Sequence, residues 1–330
     1  MRTRNFGDTD LVASEIAFGT WALGSDWWGE TDDADGLFGR ALDLGITFFD
    51  TGDVYGQGLN EEIVGRSLAP VERDRIQIST KFGYVLDRER KAHSESERPQ
   101  DWSPGHARSA LEASLRRLGT DYVDLYQLHN PRMDGVRSDE LFSELERLRD
   151  EGKLRHYGVA LGPAIGWRDE GVEALRTRRI TSIQTVYNLL EQEPGSEFLE
   201  TAAETGAGVM ARVPTSSGLL EDKYTLETTF GPTDHRRHRP RQWLVDGLEK
   251  VERLRFLVRE GERTMTQAAL RFILAQPGIA CVVPTITSLA ELEEFAGASD
   301  APELTGEELD RVQELYERDF DLQPARASAT

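Results

Sequence analysis

Residues 109–129, SALEASLRRLGTDYVDLYQLH, join two patterns that together indicate the fold class. In the first half, small and apolar side chains recur at the three- and four-residue spacing of a helix with one buried face: Ala110, Leu111, Ser114, Leu115 and Leu118. The second half contains residues 123–128, a mainly apolar run of strand length. A helix followed directly by a buried strand is one unit of a parallel sheet whose strands are connected by helices.

The same alternation continues along the chain. Eight short apolar or β-branched runs are the candidate strands: residues 16–18, 47–49, 76–79, 123–128, 156–160, 183–186, 209–212 and 280–283. Helix-like spacing recurs between them, for example in residues 141–148 and 289–296. Eight such units favour an α/β fold of the (β/α)₈ TIM-barrel type over a doubly wound sheet. The turn after the first strand has no GxGxxG sequence, which removes the usual dinucleotide-binding signature of the doubly wound alternative.

Segments outside the repeat fit a barrel. Residues 2–6 and 11–14, on either side of a Gly7-Asp8 turn, predict an N-terminal β-hairpin that closes one end. Three extended loops each follow a strand, so a barrel places them at its C-terminal face, where active sites form: residues 84–104, 130–138 and 214–245. The first of these is better explained as a plain solvent loop. We predict a single barrel domain over residues 1–322 and a disordered tail at 323–330.

The composition excludes several function classes. The chain has 59 Asp and Glu residues against 39 Lys and Arg, a formal net charge of −20. Such a surface repels phosphate backbones and anionic lipid, so we expect neither nucleic-acid nor membrane binding. No apolar run reaches the roughly 20 residues of a membrane span, and the first residues lack a secretion signal, so we expect a cytoplasmic protein. Cys281 is the one cysteine, which rules out an internal disulfide.

The excess of acid and the scarcity of lysine also suggest a working environment. Only five of the 39 basic residues are lysine. An acidic, lysine-poor surface is expected of a halophilic protein, because a Debye length of about 3 Å at 1 M salt removes the self-repulsion. An ordinary acidic protein from an arginine-rich genome explains the same counts, and both interpretations stay open.

Polar residues at successive strand ends carry the functional hypothesis. Asp50, Lys81 and His129 follow the second, third and fourth predicted strands, and Tyr55 lies five residues after Asp50. In a parallel barrel these four side chains converge on one mouth. An aspartate keeps a nearby ammonium charged, and that ammonium favours tyrosinate over the neutral phenol. Tyr55 is therefore a candidate proton donor to a carbonyl oxygen, and His129 a candidate hydrogen-bond donor to the same oxygen.

Several segments resemble one known family. They are AFGTW (17–21), FFDTGDVYG (48–56), STKFG (79–83), LRRLGTDYVDLYQLH (115–129), IQTVYN (183–188), GLLEDKY (218–224) and VVP…SLAELEE (282–294). In this order they are similar to the aldo-keto reductase family, in its bacterial and archaeal branch, from about residue 1 to 320. The resemblance implies an NAD(P)(H)-binding barrel without a Rossmann motif. It also implies a catalytic tetrad formed by Asp50, Tyr55, Lys81 and His129.

The family resemblance also implies roles for individual residues. Tyr55 acts as general acid in carbonyl reduction and as base in alcohol oxidation, Lys81 and Asp50 tune it, and His129 orients the carbonyl. Gln184 would bind the nicotinamide carboxamide. The other implied contacts to NADP or NAD are Thr20, Trp21, Asp50, Arg212, Pro214, Ser216, Ser217, Gly218, Lys223, Thr285, Thr287, Ser288, Glu291 and Glu294.

The chain departs from the family pattern where the cofactor would bind. Ala160 and Leu161 replace a Ser-Asn pair after the fifth strand, and Arg212 replaces the aromatic residue that stacks on the cofactor. Further along, Thr287 replaces a basic residue, Glu291 a Gln or Arg, and Phe295 an adenine-contacting Asn.

These departures bear on the choice between NAD and NADP. A carboxylate near the ribose suits two hydroxyls and disfavours a phosphate, so Glu291 and Thr287 indicate NAD(H) or dual use. The family default is NADP(H), and an arginine cluster made of Arg236, Arg237, Arg239 and Arg241 provides another route to phosphate affinity. The same cluster is explained equally well as arginines that only balance the acidic surface.

The substrate is predicted only as a class. Trp21, Trp27 and Trp28 lie in the loop after the first strand and, with Tyr55 and His129, are the expected walls of a pocket for sugars or aromatic aldehydes. The His235-x-x-His238 spacing is not expected to bind a metal, because arginines surround it. We expect the binding partner to be a small carbonyl compound or alcohol, and the chain to be a monomer or a dimer. The alternative is a non-catalytic barrel subunit that senses the cofactor.

Overall fold

The computed structural model describes residues 1–24, 31–86, 98–162 and 167–322, so the predicted tail at 323–330 lies outside the described residues. Its strands are β1 (Thr3–Asn5), β2 (Val12–Ser14), β3 (Phe18–Gly19), β4 (Phe48–Asp50), β5 (Gln77–Phe82), β6 (Val123–His129), β7 (Leu154–Ala160), β8 (Ser182–Val186), β9 (Gly208–Arg212) and β10 (Ile279–Val283). Its α-helices are α1 (Ala34–Asp43), α2 (Leu59–Leu68), α3 (Pro104–Leu118), α4 (Met133–Val136), α5 (Asp139–Asp150), α6 (Arg168–Thr177), α7 (Gly195–Thr205), α8 (Arg241–Arg253), α9 (Met265–Leu274), α10 (Leu289–Gly297) and α11 (Gly306–Glu317).

Strands β3 to β10 form the predicted barrel. They pair in parallel and in chain order. The sheet closes because β10 also bonds the segment before β3: Ala17 N donates to Val282 O at 2.8 Å and Val282 N to Glu15 O at 2.9 Å. The TIM-barrel prediction is confirmed, and each of the eight predicted runs overlaps one strand.

One strand is longer than the sequence suggested. The third predicted run ends at residue 79, but β5 continues through Thr80 and Lys81 to Phe82. Lys81 pairs in register with Gln127 of β6 and is fully buried. A buried lysine inside a strand is not expected from its charge, and the partner that makes it possible is described below.

Strand alternation decides which side chains face the barrel axis. Phe48, Leu125 and Met210 share one buried cluster inside the barrel, and Asp50 and Arg212 each follow one of these residues by two positions. Side chains two residues apart point to the same face of a strand. The chain therefore places apolar residues deep in the barrel and polar residues above them, at the carboxyl ends of the strands.

The N-terminal hairpin is also confirmed and lies at the opposite end. Strands β1 and β2 pair antiparallel, with Thr3 opposite Ser14. Phe6, in the turn between them, is fully buried, and its ring stacks on that of Phe48 with the centroids 5.5 Å apart. Phe48 begins β4, so the hairpin covers the N-terminal end of the barrel. Among the described helices, none combines the length and the apolar character needed to cross a membrane.

Candidate active site

A buried ion pair lies at the base of the site. Lys81 Nζ donates to Asp50 Oδ2 at 2.6 Å and to the backbone oxygen of Thr51 at 2.7 Å. Burial alone would lower the pKa of the Lys81 ammonium, but attraction by Asp50 and Tyr55 outweighs it, and the pKa lies above its usual value. Lys81 is therefore a permanent cation despite its full burial.

Tyr55 lies above this pair, in the turn that follows β4. Its ring centroid is 5.1 Å from Lys81 Nζ. Gly52 lets the ring pack closely on the turn, because a Cβ there would lie 3.2 Å from the ring and would displace it by a few tenths of an ångström. The chain then reverses through Gly56 and Gln57, both with positive φ. This turn holds the tyrosine over the ammonium.

His129, the last residue of β6, contacts Tyr55 from the side. The two rings meet edge to face with centroids 5.7 Å apart, and the ring of Tyr84 contacts His129 in the same way at 5.1 Å. Burial, and then repulsion by Lys81 and Arg212, hold the pKa of His129 well below its usual value of 6.5. The imidazole is therefore neutral at pH 7 and offers one N–H as a hydrogen-bond donor.

A further hydrogen bond holds Oδ1 of Asp50, the oxygen that Lys81 does not bind. Gln127 Nε2 donates to Asp50 Oδ1 at 3.3 Å and to Ser79 Oγ at 2.8 Å. All three side chains are buried. The sequence did not single out Gln127 or Ser79, although both lie two residues before a predicted site residue on a strand, and that spacing was the available signal.

Arg212, at the end of β9, brings a second cation to this end of the barrel. Its Nη2 donates to the backbone oxygen of Leu161 at 2.7 Å. Burial lowers the pKa of the guanidinium, while attraction by Tyr55 and Asp50 opposes the shift. The resemblance predicted a cofactor contact here, and the structure puts the guanidinium among the residues just described.

These residues open into a cavity of about 550 Å³ at the carboxyl ends of the strands. It is lined by most of the residues that the sequence proposed for catalysis, cofactor or substrate: Thr20, Trp21, Asp50, Tyr55, His129, Gln184, Arg212, Pro214, Ser217, Lys223, Thr285, Thr287 and Glu291. A volume of this size is typical of small-molecule and cofactor sites.

Five proposed site residues do not line the cavity. Lys81 lies behind Asp50, and Ser216 turns away so that its hydroxyl donates to Glu191 Oε2 at 3.2 Å. Ser288 caps the N-terminus of helix α10, where its hydroxyl accepts a hydrogen bond from Glu291 N. The two others are Gly218, whose position leaves room for the Tyr224 hydroxyl, and Glu294, which accepts from Thr264 outside the site. Trp27 and Trp28 lie outside the described residues.

The loop after β9 turns sharply along one wall of the cavity. Val213, Ser216 and Ser217 all have positive φ, which is costly for a β-branched residue such as Val213. Lys223 follows this loop and pairs with Glu221 and, at 3.0 Å, with Glu291. The loop carries several of the residues that the resemblance assigns to contacts with NADP or NAD: Pro214, Ser216, Ser217, Gly218 and Lys223.

Glu291 holds its carboxylate toward Thr287. Its Oε2 accepts from the backbone N of Thr287 at 2.9 Å and from the hydroxyl at 2.6 Å. Burial opposes ionisation, but Lys223 and Thr287 together lower the pKa of Glu291 below its usual value. A fixed negative charge therefore lies where the family pattern has a neutral or basic residue.

The arginine cluster divides into two groups. Arg236 and Arg239 line the cavity, whereas Arg237 and Arg241 donate to the backbone oxygens of Pro232 and Thr228. Arg236 is held by both oxygens of Asp234, at 2.8 and 2.5 Å. Sequence spacing could not distinguish the two groups, because the direction of a loop side chain depends on tertiary contacts.

Further residues of the lining were not identified from the sequence. Tyr84 contacts the His129 ring, and Asn130 Nδ2 donates to the Tyr84 hydroxyl at 2.8 Å. Glu191 and Glu221 also line the cavity. Within the described residues there is no group of three His, Cys, Asp or Glu side chains placed to hold a metal ion.

Comparisons with known proteins agree with this architecture. The sequence model of the Aldo/keto reductase family matches residues 15–317. YqkF of Bacillus subtilis (strain 168), described as an uncharacterized oxidoreductase, is 32% identical over 327 residues, 97% of this chain and 98% of YqkF. The holo form of aldo-keto reductase AKR11C1 from Bacillus halodurans is similar with a TM-score of 0.77 and 30% identity over 96% of each chain. The glycerol dehydrogenase AKR11B4 from Gluconobacter oxydans is similar with a TM-score of 0.81 and 27% identity over 99% of each.

Proposed function

The chain belongs to the aldo/keto reductase family, and from this premise we propose that it is a nicotinamide-dependent oxidoreductase that interconverts a carbonyl compound and its alcohol. The observation that carries the proposal is the contact of Tyr55 with both Lys81 and His129 at the base of one cavity. These are the groups that a proton transfer to a carbonyl oxygen needs.

The chemistry of the protein side follows from the charges. As the carbonyl oxygen gains negative charge, Tyr55 gives it a proton, and the tyrosinate that remains is stabilised by the Lys81 ammonium. Asp50 balances that ammonium in the ground state and fixes its position at 2.6 Å. His129, kept neutral, donates a hydrogen bond to the same oxygen without adding a proton that would compete with Tyr55. In alcohol oxidation the same groups act in reverse.

The residues present fit a nicotinamide cofactor. The buried amide of Gln184 lines the cavity and suits a carboxamide, while Ser217, Lys223 and the strained loop after β9 line the side that suits a diphosphate. When bound, the cofactor supplies or accepts the hydride. The protein's part is to orient it and the substrate against Tyr55 and to exclude water.

For the choice of cofactor we propose NAD(H) or dual use. The ionised Glu291, hydrogen-bonded to Thr287, favours ribose hydroxyls over a phosphate dianion. Arg239 and Arg236 line the same cavity and are the residues through which NADPH affinity would be retained.

We propose aldehydes, ketones or sugars as the substrate class. The ring of Trp21 lines the cavity and meets the ring of His235 at 5.1 Å, so an aromatic wall is available for an apolar or sugar face. Since the similar protein from Gluconobacter oxydans is described as a glycerol dehydrogenase, polyols belong in the first substrate panel.

The test compares two tyrosine variants. Tyr55→Phe should lower kcat by about 10²- to 10⁴-fold, while the dissociation constant for NADH changes little. Tyr122→Phe is the matched control, because Tyr122 precedes β6 at the opposite end of the barrel. Near wild-type turnover in Tyr55→Phe would refute the mechanism. Cofactor binding without turnover of any carbonyl or alcohol in the wild type would favour the alternative, a non-catalytic barrel that senses the cofactor.

A further inference from the structure

Arg212 is a cation without a carboxylate partner among the residues that the structure describes. Two other cations of the site are neutralised locally: Lys81 pairs with Asp50 at 2.6 Å, and Lys223 pairs with Glu291 at 3.0 Å. Within the described part of the chain, the hydrogen bond that holds the guanidinium of Arg212 goes to a neutral group, the backbone oxygen of Leu161. Its charge therefore acts on whatever lies beside it in the cavity.

The position of this charge is close to the reacting groups. Arg212 interacts electrostatically with Tyr55 and Asp50, and its repulsion contributes to the lowered pKa of His129. Guanidinium groups keep their proton at physiological pH, so the charge is permanent. In a partly buried site it is screened less than at the surface.

The carboxylates around Arg212 do not outweigh its charge at His129. Glu191 also lines the cavity, but its attraction acts on the pKa of Arg212 less than that of Tyr55 or Asp50. The carboxylate of Asp50 is already paired with Lys81. The charges that shift the pKa of His129 are those of Lys81 and Arg212, and both lower it, so the field beside Tyr55 is positive.

This positive field has a consequence for the two forms of the cofactor, which rests on the function proposed above. Hydride exchange at a carbonyl held by Tyr55 requires the nicotinamide ring within contact of that carbonyl, and so beside Arg212. The ring is neutral when reduced and carries a positive charge when oxidised. A planar guanidinium packs favourably on a neutral ring but repels a cationic one.

We propose that Arg212 makes the site selective for the redox state of the cofactor, so that the reduced form binds more tightly than the oxidised form. During turnover the oxidised form is then expelled readily after hydride transfer. The enzyme stays loaded with reduced cofactor even where oxidised cofactor is in excess. Arg212 in this way biases an NAD(H)-using enzyme toward carbonyl reduction.

The experiment measures dissociation constants for NADH and NAD⁺, and for NADPH and NADP⁺, by titration calorimetry. The protein is compared with Arg212→Lys, which keeps the charge, and Arg212→Gln, which removes it. In the wild type we expect the reduced form to bind at least about tenfold more tightly. Arg212→Gln should lower the ratio of the NAD⁺ to the NADH dissociation constant by about tenfold, mainly because NAD⁺ binds more tightly. Arg212→Lys should keep most of the wild-type preference for the reduced form.

A second measurement needs no variant. ADP-ribose carries every part of NAD⁺ except the nicotinamide ring, so in the wild type NAD⁺ should bind no more tightly than ADP-ribose, whereas NADH should bind more tightly. NAD⁺ binding well above ADP-ribose, an unchanged ratio in Arg212→Gln, or equal loss in Arg212→Lys would each overturn the inference and leave the proposed function standing. Failure of the wild type to bind any nicotinamide nucleotide would refute the proposed function itself, and this inference with it.

Discussion

Gln127 and Lys81 hold different oxygens of the same carboxylate: Gln127 Nε2 lies 3.3 Å from Asp50 Oδ1, and Lys81 Nζ lies 2.6 Å from Asp50 Oδ2. The carboxylate is thus fixed in orientation by side chains from the next two strands of the barrel, β5 and β6. Because Asp50 balances the charge of Lys81, its orientation decides how much of the ammonium's field reaches Tyr55.

Removing the Gln127 amide should weaken both stability and catalysis. Gln127→Leu leaves Asp50 Oδ1 buried without its donor, and we expect the free energy of unfolding to fall by about 1.5–3 kcal/mol. The rate of carbonyl reduction should fall as well, with the KM for the cofactor nearly unchanged. Urea unfolding and steady-state kinetics measure the two effects. The control is Gln77→Leu, at the start of the neighbouring strand β5, and equal losses of stability and rate in the two variants would contradict the prediction.

Neutralising Lys81 should change the way in which rate depends on pH. Lys81→Met removes the cation that stabilises the tyrosinate of Tyr55, so we expect a large loss of kcat at pH 7 with partial recovery at high pH, where alcohol oxidation is less dependent on that stabilisation. The measurement is the pH profile of alcohol oxidation in wild type and variant. Parallel profiles would show that Lys81 only supports the fold.

The neutral His129 gives a predicted slope of stability with pH. Its pKa in the folded protein lies well below the usual value of 6.5, so below about pH 6.5 the unfolded chain binds a proton that the folded chain does not. Stability should therefore fall as the pH falls through 6.5, by at most about 1.4 kcal/mol per unit from this residue.

His129→Gln should remove that contribution. The measurement is the free energy of unfolding of each protein between pH 5 and pH 7. His238→Gln, on the exposed loop before α8, is the control and should keep the wild-type slope. An identical slope in His129→Gln would show that the imidazole is not held neutral.

Arg239 should contribute to the cofactor preference more than its neighbours. It lines the cavity, whereas Arg237 binds the backbone oxygen of Pro232. We expect Arg239→Ala to raise the KM for NADPH but not the KM for NADH. Arg237→Ala should change neither of these two KM values. Glu291→Gln should act in the opposite direction and improve NADPH use, because it removes a negative charge beside the ribose. Equal changes for NADH and NADPH in Arg239→Ala would exclude a phosphate contact.

The acidic surface predicts a response to salt. If the net charge of −20 is an adaptation to concentrated salt, the thermal midpoint should rise substantially from dilute buffer to about 2 M KCl. Differential scanning calorimetry at several salt concentrations measures this. A midpoint as high in dilute buffer as in molar KCl would favour the arginine-rich genome as the reason for the few lysines.

The sequence predicted the barrel well because its strands are apolar runs between turns. Their positions were correct to within a few residues, except at the end of β5, where the charge of Lys81 hid a continuing strand. The burial of Lys81 depends on its ion pair with Asp50, which is distant in the sequence. The residues around Lys81 therefore do not reveal this partner.

The predictable part of the candidate site is the set of ionisable residues at strand ends, Asp50, Lys81 and His129. Gln127 and Ser79 belong to the same site, but neutral polar residues within a strand carry no motif. The positive φ of Val213 was not predictable either, since a β-branched residue rarely adopts that backbone. Residues 25–30 contain Trp27 and Trp28, whose predicted place in the pocket stays a prediction.

The N-terminal hairpin has a consequence for the order of events in a catalytic cycle. With Phe6 packed on Phe48, one end of the barrel is covered, and ligands approach Tyr55 from the end where the strands finish. Two ligands that share one approach interfere with each other. We therefore expect a sequential kinetic mechanism in which one ligand must bind first. We also expect inhibition at high concentrations of carbonyl substrate, because a carbonyl that binds before the oxidised cofactor has dissociated slows that dissociation.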